Sequence, residues 1–525
     1  MSPAARGSNQ SDRASRRTLG ALVVLAALSL ALRLFDLGGR IFHWDEGRVG
    51  YWILRYHETG QFHYRPIIHG PFVQHADALL FHVVPATDFW ARVPVAVVTA
   101  ALPLTAWLLR RHLDDREMVA LGALLTVQPL LLYYSRFMRS DMLVGAFAFA
   151  AFALLVRAFD TRRLAPAVAA SAALALGFAS KENAILYVAC FGGAAAVCYD
   201  HRLVRAAAGS GSRGASRVRS DLAAVEAWVD RRSGGLPGVV WLGGALAALV
   251  GTFLAVTVLM YAPRPKIWGA LSSVGSLFGV LDAALVDTAS ELVSTWIERD
   301  GGDRSYLALF HDTLETLAFG APVVLVFAVV GVLADGYGVL DARTDEPRRR
   351  LLVSFCLYWA AASVVGYPIA TDIQAPWAVT HAVLPLTVPA AVGTAALAGA
   401  VERGLTTRDE SVADALRGVA EGDRLELGAP ALVAVLLLSA GTVGVVGLNA
   451  DYWNSASQED KQVLQWAQPG NDLQYTVDDV AAIAAENEGT DVLFYGTDSG
   501  SAVQFHVANE SSLDQPPPGG PSWHS

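Results

Sequence analysis

The chain has 525 residues, of which 53% are hydrophobic and only 17% are charged, and its formal net charge is −10. A soluble domain usually carries about 25% charged residues, so the charged share is low. Only three of the 39 basic residues are lysines, at positions 181, 266 and 461. The basic footprint of a nucleic-acid-binding protein is therefore absent, and the acidic, lysine-poor composition is typical of extreme halophiles.

Long apolar runs recur along the chain, and each approaches the ~20 residues that a helix needs to cross a ~30 Å hydrocarbon core. They lie at 18–34, 89–109, 118–135, 142–159, 164–180, 184–199, 238–261, 314–334, 351–369, 377–400 and 429–449. The alternative, a large soluble α-helical protein, would have to bury all of these runs in one core. We therefore predict an all-α polytopic membrane protein of about eleven transmembrane helices.

Arginine-rich segments alternate with segments that hold fewer basic residues, and this alternation predicts an orientation. We place the N-terminal arm 1–17 in the cytoplasm and a transmembrane domain over 18–449. The predicted cytoplasmic loops are then all basic, at 110–117, 157–163, 200–237, 335–350 and 401–428. The first outer loop is 35–88, and the segment 450–525 is also extracytoplasmic. This predicts a multi-pass protein of the cell membrane with its functional face outside.

The first outer loop carries the densest polar motifs, His-Trp-Asp-Glu-Gly at 43–47 and His-Gly-Pro at 69–71. Adjacent like charges repel, so we expect one carboxyl group of the Asp45–Glu46 pair to have a raised pKa and to take up a proton near neutral pH. The alternative is two solvated loop acids, although aromatic residues surround this pair. Residues 70–84 are predicted to form a helix along the membrane interface.

Two arginines stand at the entrance of an apolar run, in the segment Ser-Arg-Phe-Met-Arg-Ser-Asp at 135–141. At the bilayer centre an arginine that faces lipid costs ~2.5–3.5 kcal/mol. Arg136 and Arg139 either snorkel to the surface or hold a phosphate, whose oxygens match the planar guanidinium fork.

Further polar junctions follow at Lys181-Glu182, at Arg264 and Lys266, and between Tyr367 and His381. Lysine is rare in this chain, which indicates a specific need for an ammonium group at Lys181, although a surface pair with Glu182 explains it nearly as well. Together the outer junctions supply carboxylates, arginines and a lysine. Such a set suits a substrate with a phosphate and a hydroxylated head group, such as a lipid phosphate.

Two segments outside the apolar runs have predicted structure of their own. A surface-lying helix is predicted within 269–296. In the C-terminal segment, 477–488 has a helical pattern and 491–496 reads as a strand that ends in a glycine turn, which predicts a small extracytoplasmic α/β segment. The Pro- and Gly-rich end, 515–525, is disordered in character.

These motifs resemble those of the GT-C glycosyltransferases, which include protein O-mannosyltransferases and the lipid A aminoarabinose transferase type. The resemblance covers roughly residues 20–400. The residues that carry it are Asp45-Glu46, the Tyr-Ser-Arg stretch at 134–136 with Arg139 and Asp141, and Lys181-Glu182. The sequence motifs HWDEG, HGPF and SRFMRSD are most similar to those of a haloarchaeal branch described as flippase-activity-associated proteins of N-glycosylation.

The resemblance implies a GT-C-like fold and a sugar donor linked to a polyprenyl phosphate, which is dolichyl phosphate in archaea. It implies Asp45 as the catalytic acid/base, with Glu46 as its partner. The residues implied for binding the lipid phosphate or other parts of the substrate are Arg136, Arg139, Lys181, His69, Arg264 and Lys266. The implied chemistry is inverting transfer, in which a carboxylate deprotonates the acceptor hydroxyl and cations stabilise the departing phosphate.

No cofactor is predicted, because arginines can serve where other enzymes use a divalent metal, although Asp45 and Glu46 could hold an ion in some relatives. The predicted partners are a polyprenyl-phosphate-linked sugar, a glycan or protein acceptor, and other membrane proteins of a glycosylation pathway, with no nucleic acid. The alternative function is a non-enzymatic, flippase-associated protein that handles the charged lipid on the same scaffold. A purely structural subunit fits poorly with five polar junctions on one face.

Overall fold

A computed structural model describes residues 3–66, 69–210, 214–235, 237–296, 305–338, 350–369, 376–405, 428–455 and 469–487. Within these ranges every regular element is a helix, and the extended backbone forms only an isolated antiparallel bridge between Phe62 and Arg264. The prediction of an all-α fold is confirmed. Several of the helices are long and apolar enough to cross a membrane, so the chain is a multi-pass membrane protein.

The first half of the chain forms ten helices among the described residues. They are α1 (Pro3–Leu34), α2 (Trp44–Thr59), α3 (Pro71–Leu80), α4 (Asp88–Ala100) with a 3-10 continuation (Leu102–Leu109), α5 (Asp115–Val127), α6 (Pro129–Tyr134), α7 (Ser140–Thr161), α8 (Leu164–Phe178), α9 (Ala184–Ser210) and α10 (Gly214–Arg232). Short helices α2 and α3 occupy the predicted first outer loop. Proline at the first position of α3 is well placed there, because the first N–H groups of a helix have no intrahelical acceptor.

The second half contains the remaining helices of the described residues. They are α11 (Gly238–Tyr261), α12 (Val274–Leu281), α13 (Thr288–Trp296), α14 (Tyr306–Gly320), α15 (Pro322–Tyr337), α16 (Leu351–Gly366), α17 (Thr380–Leu405), α18 (Ala429–Tyr452) and α19 (Leu473–Glu486). A π-helical turn, Asp282–Asp287, joins α12 to α13, so the segment within 269–296 is helical as predicted, while its position along the membrane surface stays a prediction. Helix α19 lies within the predicted C-terminal segment, whereas the predicted strand 491–496 and the end 515–525 lie outside the described residues.

Eight of the predicted apolar runs form single helices that are long and apolar enough to span a membrane. The run 164–180 differs, because α8 has only 15 residues and is therefore about 22 Å long. The run 118–135 is not one helix either. It is interrupted at Gln128, whose backbone is extended. The ring of the following residue, Pro129, clashes with the helical conformation of the residue before it.

The predicted run 314–334 is bent rather than straight. Helices α14 and α15 meet at an angle of 89° at Ala321-Pro322, where Ala321 leaves the helical conformation and Pro322 begins the next helix. The described residues hold eight spans by length and composition, or nine if the bent pair is one span. The predicted count of about eleven stays a prediction.

Helix α17 forms the centre of the bundle and packs against α15, α16 and α18. Most of its length is buried, whereas Tyr261 is the one buried residue of α11, as expected of a helix that faces lipid. The contact between α15 and α17 is close because two glycines face the opposite backbone. A Cβ on Gly331 would lie 1.8 Å from the Pro389 carbonyl oxygen, and one on Gly393 would lie 2.0 Å from that of Phe327.

We predict that Gly331→Ala and Gly393→Ala each destabilise the bundle by about 1–3 kcal/mol, because the added methyl group forces the two backbones apart. The measurement is the thermal unfolding midpoint of the detergent-purified protein. Gly251→Ala in α11 is the matched control, since a Cβ there meets no atom within 4 Å. Equal midpoints for all three variants would contradict the close packing of α15 and α17.

Candidate active site

The acidic pair stands in the first turn of α2, which begins with a capping box. The His43 side chain accepts a hydrogen bond from the Asp45 N–H at 3.0 Å, and the His43 N–H donates to the Glu46 carboxylate at 2.9 Å. Successive helical residues point about 100° apart. The two carboxylates therefore leave the helix in different directions and meet different partners.

Glu46 is fully buried against Arg92 of α4. The guanidinium donates two parallel hydrogen bonds, from Nε to Oε1 and from Nη2 to Oε2, both at 2.8 Å. Oε1 also accepts from the Met138 N–H at 2.6 Å. Burial raises the pKa of Glu46, but Arg92 outweighs it and lowers that pKa to about 2. Because its oxygens already accept from four donors, the geometry favours a positioning role for Glu46.

Asp45 is the more open carboxylate of the pair, with 24% of its side chain exposed. Arg139 Nη1 lies 2.6 Å from its Oδ2, and Arg48 Nη2 lies 3.4 Å from its Oδ1. Burial raises the pKa of Asp45, but the charges of Arg139, His43 and Arg48 overcome this effect and hold it below its usual value. The expectation of a raised pKa within the pair is wrong, because each carboxylate is paired with arginine instead of facing the other.

Arg139 connects Asp45 to the third junction. It is the N-cap residue of α7, and its Nη2 lies 3.8 Å from Asp141 Oδ2. Lys181 Nζ lies 2.7 Å from Asp141 Oδ1, and the Trp377 ring lies 4.5 Å from the Arg139 guanidinium carbon. Asp45, Arg139, Asp141 and Lys181 thus form a row of alternating charges, hereafter the charge cluster.

His69 and Glu182 extend the charge cluster on the side of Lys181. Glu182 accepts hydrogen bonds from the Tyr64 hydroxyl at 2.6 Å and from His69 Nδ1 at 3.2 Å. Burial raises the pKa of Glu182, whereas His69 and Tyr64 lower it below its usual value. Burial and the Lys181 charge lower the pKa of His69, which is therefore neutral at pH 7. His381 of α17 completes this side, with Nε2 3.9 Å from Asp141 Oδ1.

Arg136 is buried but lies outside the charge cluster. Its Nη2 donates to the carbonyls of Phe35 and Asp36, both at 3.0 Å, and to Asn454 Oδ1 at 3.1 Å. Its Nη1 donates to the Trp453 carbonyl at 2.5 Å. These bonds tie the end of α1 to the end of α18, so the guanidinium fork is occupied within the protein.

Arg264 and Lys266 also lie outside the charge cluster. The Arg264 guanidinium donates to the carbonyls of Leu259 and Ala262 and so caps the last turn of α11. Its backbone forms the antiparallel bridge with Phe62, which fastens the loop after α2 to α11. Lys266 is exposed in the 3-10 turn that follows.

Four residues of this region were not selected from the sequence, namely Arg92, Asp141, Glu182 and Trp377. Asp141 and Glu182 belong to the motifs that carry the family resemblance but were not assigned a role. In the structure Asp141 contacts Lys181, and Glu182 contacts His69. Arg92 had a signal of its own. It is the only charged residue of the run 89–109, and a charge within a span needs a partner. Trp377 lies in a 3-10 turn before α17, within the polar junction between Tyr367 and His381 that the sequence already indicated.

The charge cluster does not fit a divalent metal ion, because each of its carboxylates already contacts a cationic side chain. Among the described residues, the metal-capable group of side chains is elsewhere, at His311, Asp312 and Glu315 on one helix, α14.

The fold is shared with solved structures of ArnT from Cupriavidus metallidurans. The apo structure is 16% identical to this chain, covers 90% of it and 81% of its own length, and has a TM-score of 0.52. The structure bound to undecaprenyl phosphate is also 16% identical, covers 90% and 82%, and has a TM-score of 0.51. The chain is therefore a membrane protein with the GT-C glycosyltransferase fold.

Two segments match family models. Residues 68–205 match the family described as dolichyl-phosphate-mannose-protein mannosyltransferase, and residues 473–525 match the Agl23 flippase-associated protein C-terminal domain. The predicted resemblance to GT-C glycosyltransferases and to the flippase-associated branch is confirmed. No curated protein sequence matches the chain.

We predict that Arg92→Met destabilises the protein by about 3–5 kcal/mol, because it leaves the buried Glu46 carboxylate without its counter-charge. The double variant Glu46→Leu/Arg92→Met should lose stability by at least about 1 kcal/mol less than the summed losses of Glu46→Leu and Arg92→Met. The free energy of unfolding of all three variants is measured by denaturant unfolding in detergent. The pair Arg55–Glu58 on α2, 3.7 Å apart with a partly exposed arginine and an exposed glutamate, is the control, and Arg55→Met should cost less than about 1 kcal/mol. Strictly additive losses would contradict the coupling.

Proposed function

We propose that this protein is a glycosyltransferase that moves a sugar from a polyprenyl phosphate to an acceptor hydroxyl at the outer face of the membrane. The observation that carries the proposal is the charge cluster. It combines a partly open carboxylate, Asp45, with two cations, Arg139 and Lys181, at the end of the bundle that carries α2 and α3.

The two cations suit the phosphate of the donor. Arg139 offers a planar fork that matches phosphate oxygens, and Lys181 offers a compact charge with three donors. Both are mostly buried, with 8% and 13% of the side chain exposed, so bulk water screens them weakly. A phosphate that enters the cluster meets donors already held in position by Asp141, which reduces the reorganisation that binding requires.

Asp45 suits proton transfer from the acceptor. Its lowered pKa keeps it ionised at neutral pH, and it is the most exposed carboxylate of the charge cluster. In the proposed reaction it removes the proton of the acceptor hydroxyl, whose oxygen forms a bond to the anomeric carbon. The bond from that carbon to the phosphate oxygen breaks, and the lipid phosphate leaves with the electron pair, stabilised by Arg139 and Lys181. Attack opposite the leaving group inverts the anomeric centre.

The donor class is supported by two likenesses. The family matched by residues 68–205 is named for dolichyl-phosphate-mannose, and ArnT, which shares the fold, has been solved with undecaprenyl phosphate. We propose a glycan or protein as the acceptor, with other membrane proteins of a glycosylation pathway as partners. The cytoplasmic N-terminus and the extracytoplasmic C-terminal segment belong to the same proposal and rest on the arginine-rich loops.

A second candidate function is a non-enzymatic protein that handles the lipid-linked sugar across the membrane. The match of residues 473–525 to a flippase-associated domain favours it. This candidate uses the same cations but needs no base. It therefore predicts that Asp45 can be replaced by asparagine without loss, whereas changes at Lys181 disturb the distribution of the lipid between leaflets.

We predict that Asp45→Asn lowers sugar transfer from dolichyl-phosphate-linked hexose by about 10²–10⁴-fold, because the general base is lost. The assay is release of dolichyl phosphate by washed membranes that contain the native acceptors. Glu58→Gln, at an exposed acid on the same helix, is the matched control and should retain full activity.

The pH profile of the wild-type protein provides a further check of this assignment. Because the pKa of Asp45 lies below the usual aspartate value, its carboxylate stays ionised at every pH above that usual value, and the rate should fall only on stronger acidification. Undiminished transfer by Asp45→Asn membranes would overturn the proposed base and favour the second candidate.

We predict that Lys181→Ala raises the KM for the donor by about 10- to 100-fold, because it removes a charged hydrogen-bond partner of the phosphate. The kcat should fall less than the ratio kcat/KM. Lys266→Ala removes another lysine of the same predicted side, one that is exposed, and should change the KM less than about twofold, since exposed charges contribute little. Equal effects of the two variants would show that the ammonium of Lys181 has no special place in donor binding.

A further inference from the structure

A cavity of about 230 Å³ lies between α9 and α16, far from the charge cluster. Its lining residues are Cys198, His201, Arg202, Arg205, Leu351 and Ser354. Cys198 and Leu351 make the wall apolar, whereas the two arginines, the histidine and the serine hydroxyl supply hydrogen-bond donors.

The two helices that form the cavity place it at the opposite end of the bundle from the charge cluster. Helix α9 begins at Ala184, next to Lys181, and reaches the cavity 14–21 residues later, or about 21–32 Å along its axis. Helix α16 begins at the cavity and ends at Gly366, and the next residue, Tyr367, stacks on His381 beside the cluster. The cavity therefore lies across the thickness of a bilayer from the proposed active site.

Among the described residues, one of the two arginines that line the cavity has a carboxylate partner and the other has none. Arg202 pairs with Asp221 of α10 at 2.9 Å, and Arg217 approaches the same carboxylate at 3.6 Å. His201 contacts the Tyr358 hydroxyl through Nδ1 at 3.0 Å. Within the described part of the chain, no carboxylate lies within ion-pair distance of Arg205. Over the described ranges, the cavity thus combines several hydrogen-bond donors with one arginine that has no ion-pair partner, and such a site favours an anion.

The surroundings of the cavity indicate an amphiphilic anion rather than a free one. Val197 and Val204 of α9 and Leu351 of α16 are each more than 40% exposed. Apolar side chains exposed at the end of a membrane-spanning helix are covered by lipid chains, and arginines at that level meet lipid phosphates. An occupant that satisfies both features has a phosphate head group and hydrocarbon chains.

We propose that this cavity binds the phosphate head group of a membrane lipid on the face opposite the charge cluster. Arg205 is the principal partner of the phosphate, Ser354 and His201 donate further hydrogen bonds, and the lipid chains lie along α9 and α16. The lipid is either a resident anionic phospholipid or a polyprenyl phosphate, since both present the same phosphate chemistry. The inference does not depend on the sugar-transfer reaction.

The test is binding of defined lipids to the full-length protein in detergent, followed by native mass spectrometry. The probes are phosphatidylglycerol, polyprenyl phosphate, zwitterionic phosphatidylcholine and inorganic phosphate. We expect phosphatidylglycerol to bind more tightly than phosphatidylcholine. Arg205→Glu should weaken this preference by about tenfold or more, because a repulsive charge replaces an attractive one.

Two further variants and a mapping experiment separate binding from folding. Arg219→Glu makes the same charge change at an exposed position of α10 outside the cavity and should alter lipid binding by less than about twofold. Ser354→Ala keeps the charge and should weaken binding by a smaller factor than Arg205→Glu, at an unchanged unfolding midpoint. A photoreactive phosphatidylglycerol should label peptides that contain Arg205 or Ser354 rather than the loop with Asp45.

The lipid probes also identify the source of the phosphate. Tighter binding of polyprenyl phosphate than of phosphatidylglycerol supports a carrier lipid, and equal binding supports any anionic lipid. Inorganic phosphate that binds as tightly as either lipid would overturn a lipid site. So would equal losses in Arg205→Glu and Arg219→Glu, or equal binding of phosphatidylglycerol and phosphatidylcholine.

Discussion

The buried bond between Glu46 and Arg92 is the contact on which the arrangement of the site depends. Besides its two bonds to the carboxylate, the Arg92 guanidinium donates to the carbonyls of Leu37, Arg40 and Ile41 at 2.7–3.2 Å. Removing both charges from water is costly, and such a pair persists only when its remaining hydrogen-bonding groups are satisfied. Here one ion pair orders the turn after α1, the start of α2, helix α4 and the segment before α7.

This anchor sets the position of the charge cluster through the backbone. Glu46 fixes the Met138 N–H, and the next residue, Arg139, then reaches Asp45 on the neighbouring side of α2. The adjacent acids therefore have different surroundings. Glu46 holds the segment, while Asp45 is partly open and lies beside Arg139 and Arg48. In the proposed reaction the row of charges is already in place when the phosphate binds, which is the property that electrostatic catalysis requires.

Arg136 adds a second connection to the same segment. By bonding the ends of α1 and α18, it places the start of the C-terminal segment beside the residues that lead to Arg139. The long helices extend the organisation across the membrane, because α9 and α16 have one end at the charge cluster and the other at the donor-rich cavity. Cationic side chains thus lie at both ends of the bundle, Arg139 and Lys181 at one end and Arg202 and Arg205 at the other.

The sequence by itself determined the class of the protein, because the length of an apolar run is a direct measure of whether a helix can cross a membrane. It also located three of the junctions that meet in the charge cluster, since polar motifs between apolar runs, and a lysine in a lysine-poor chain, are visible without a structure. It could not distinguish Arg136 from Arg139, because their roles depend on α18, which lies more than 300 residues later. It could not separate Asp45 from Glu46, whose directions are set by a helix start and by Arg92. Breaks within a run, as at Ala321-Pro322, leave the hydropathy unchanged. Proline marks where a run can break, but α17 continues through Pro385 and Pro389, so the structure decided which prolines interrupt a run.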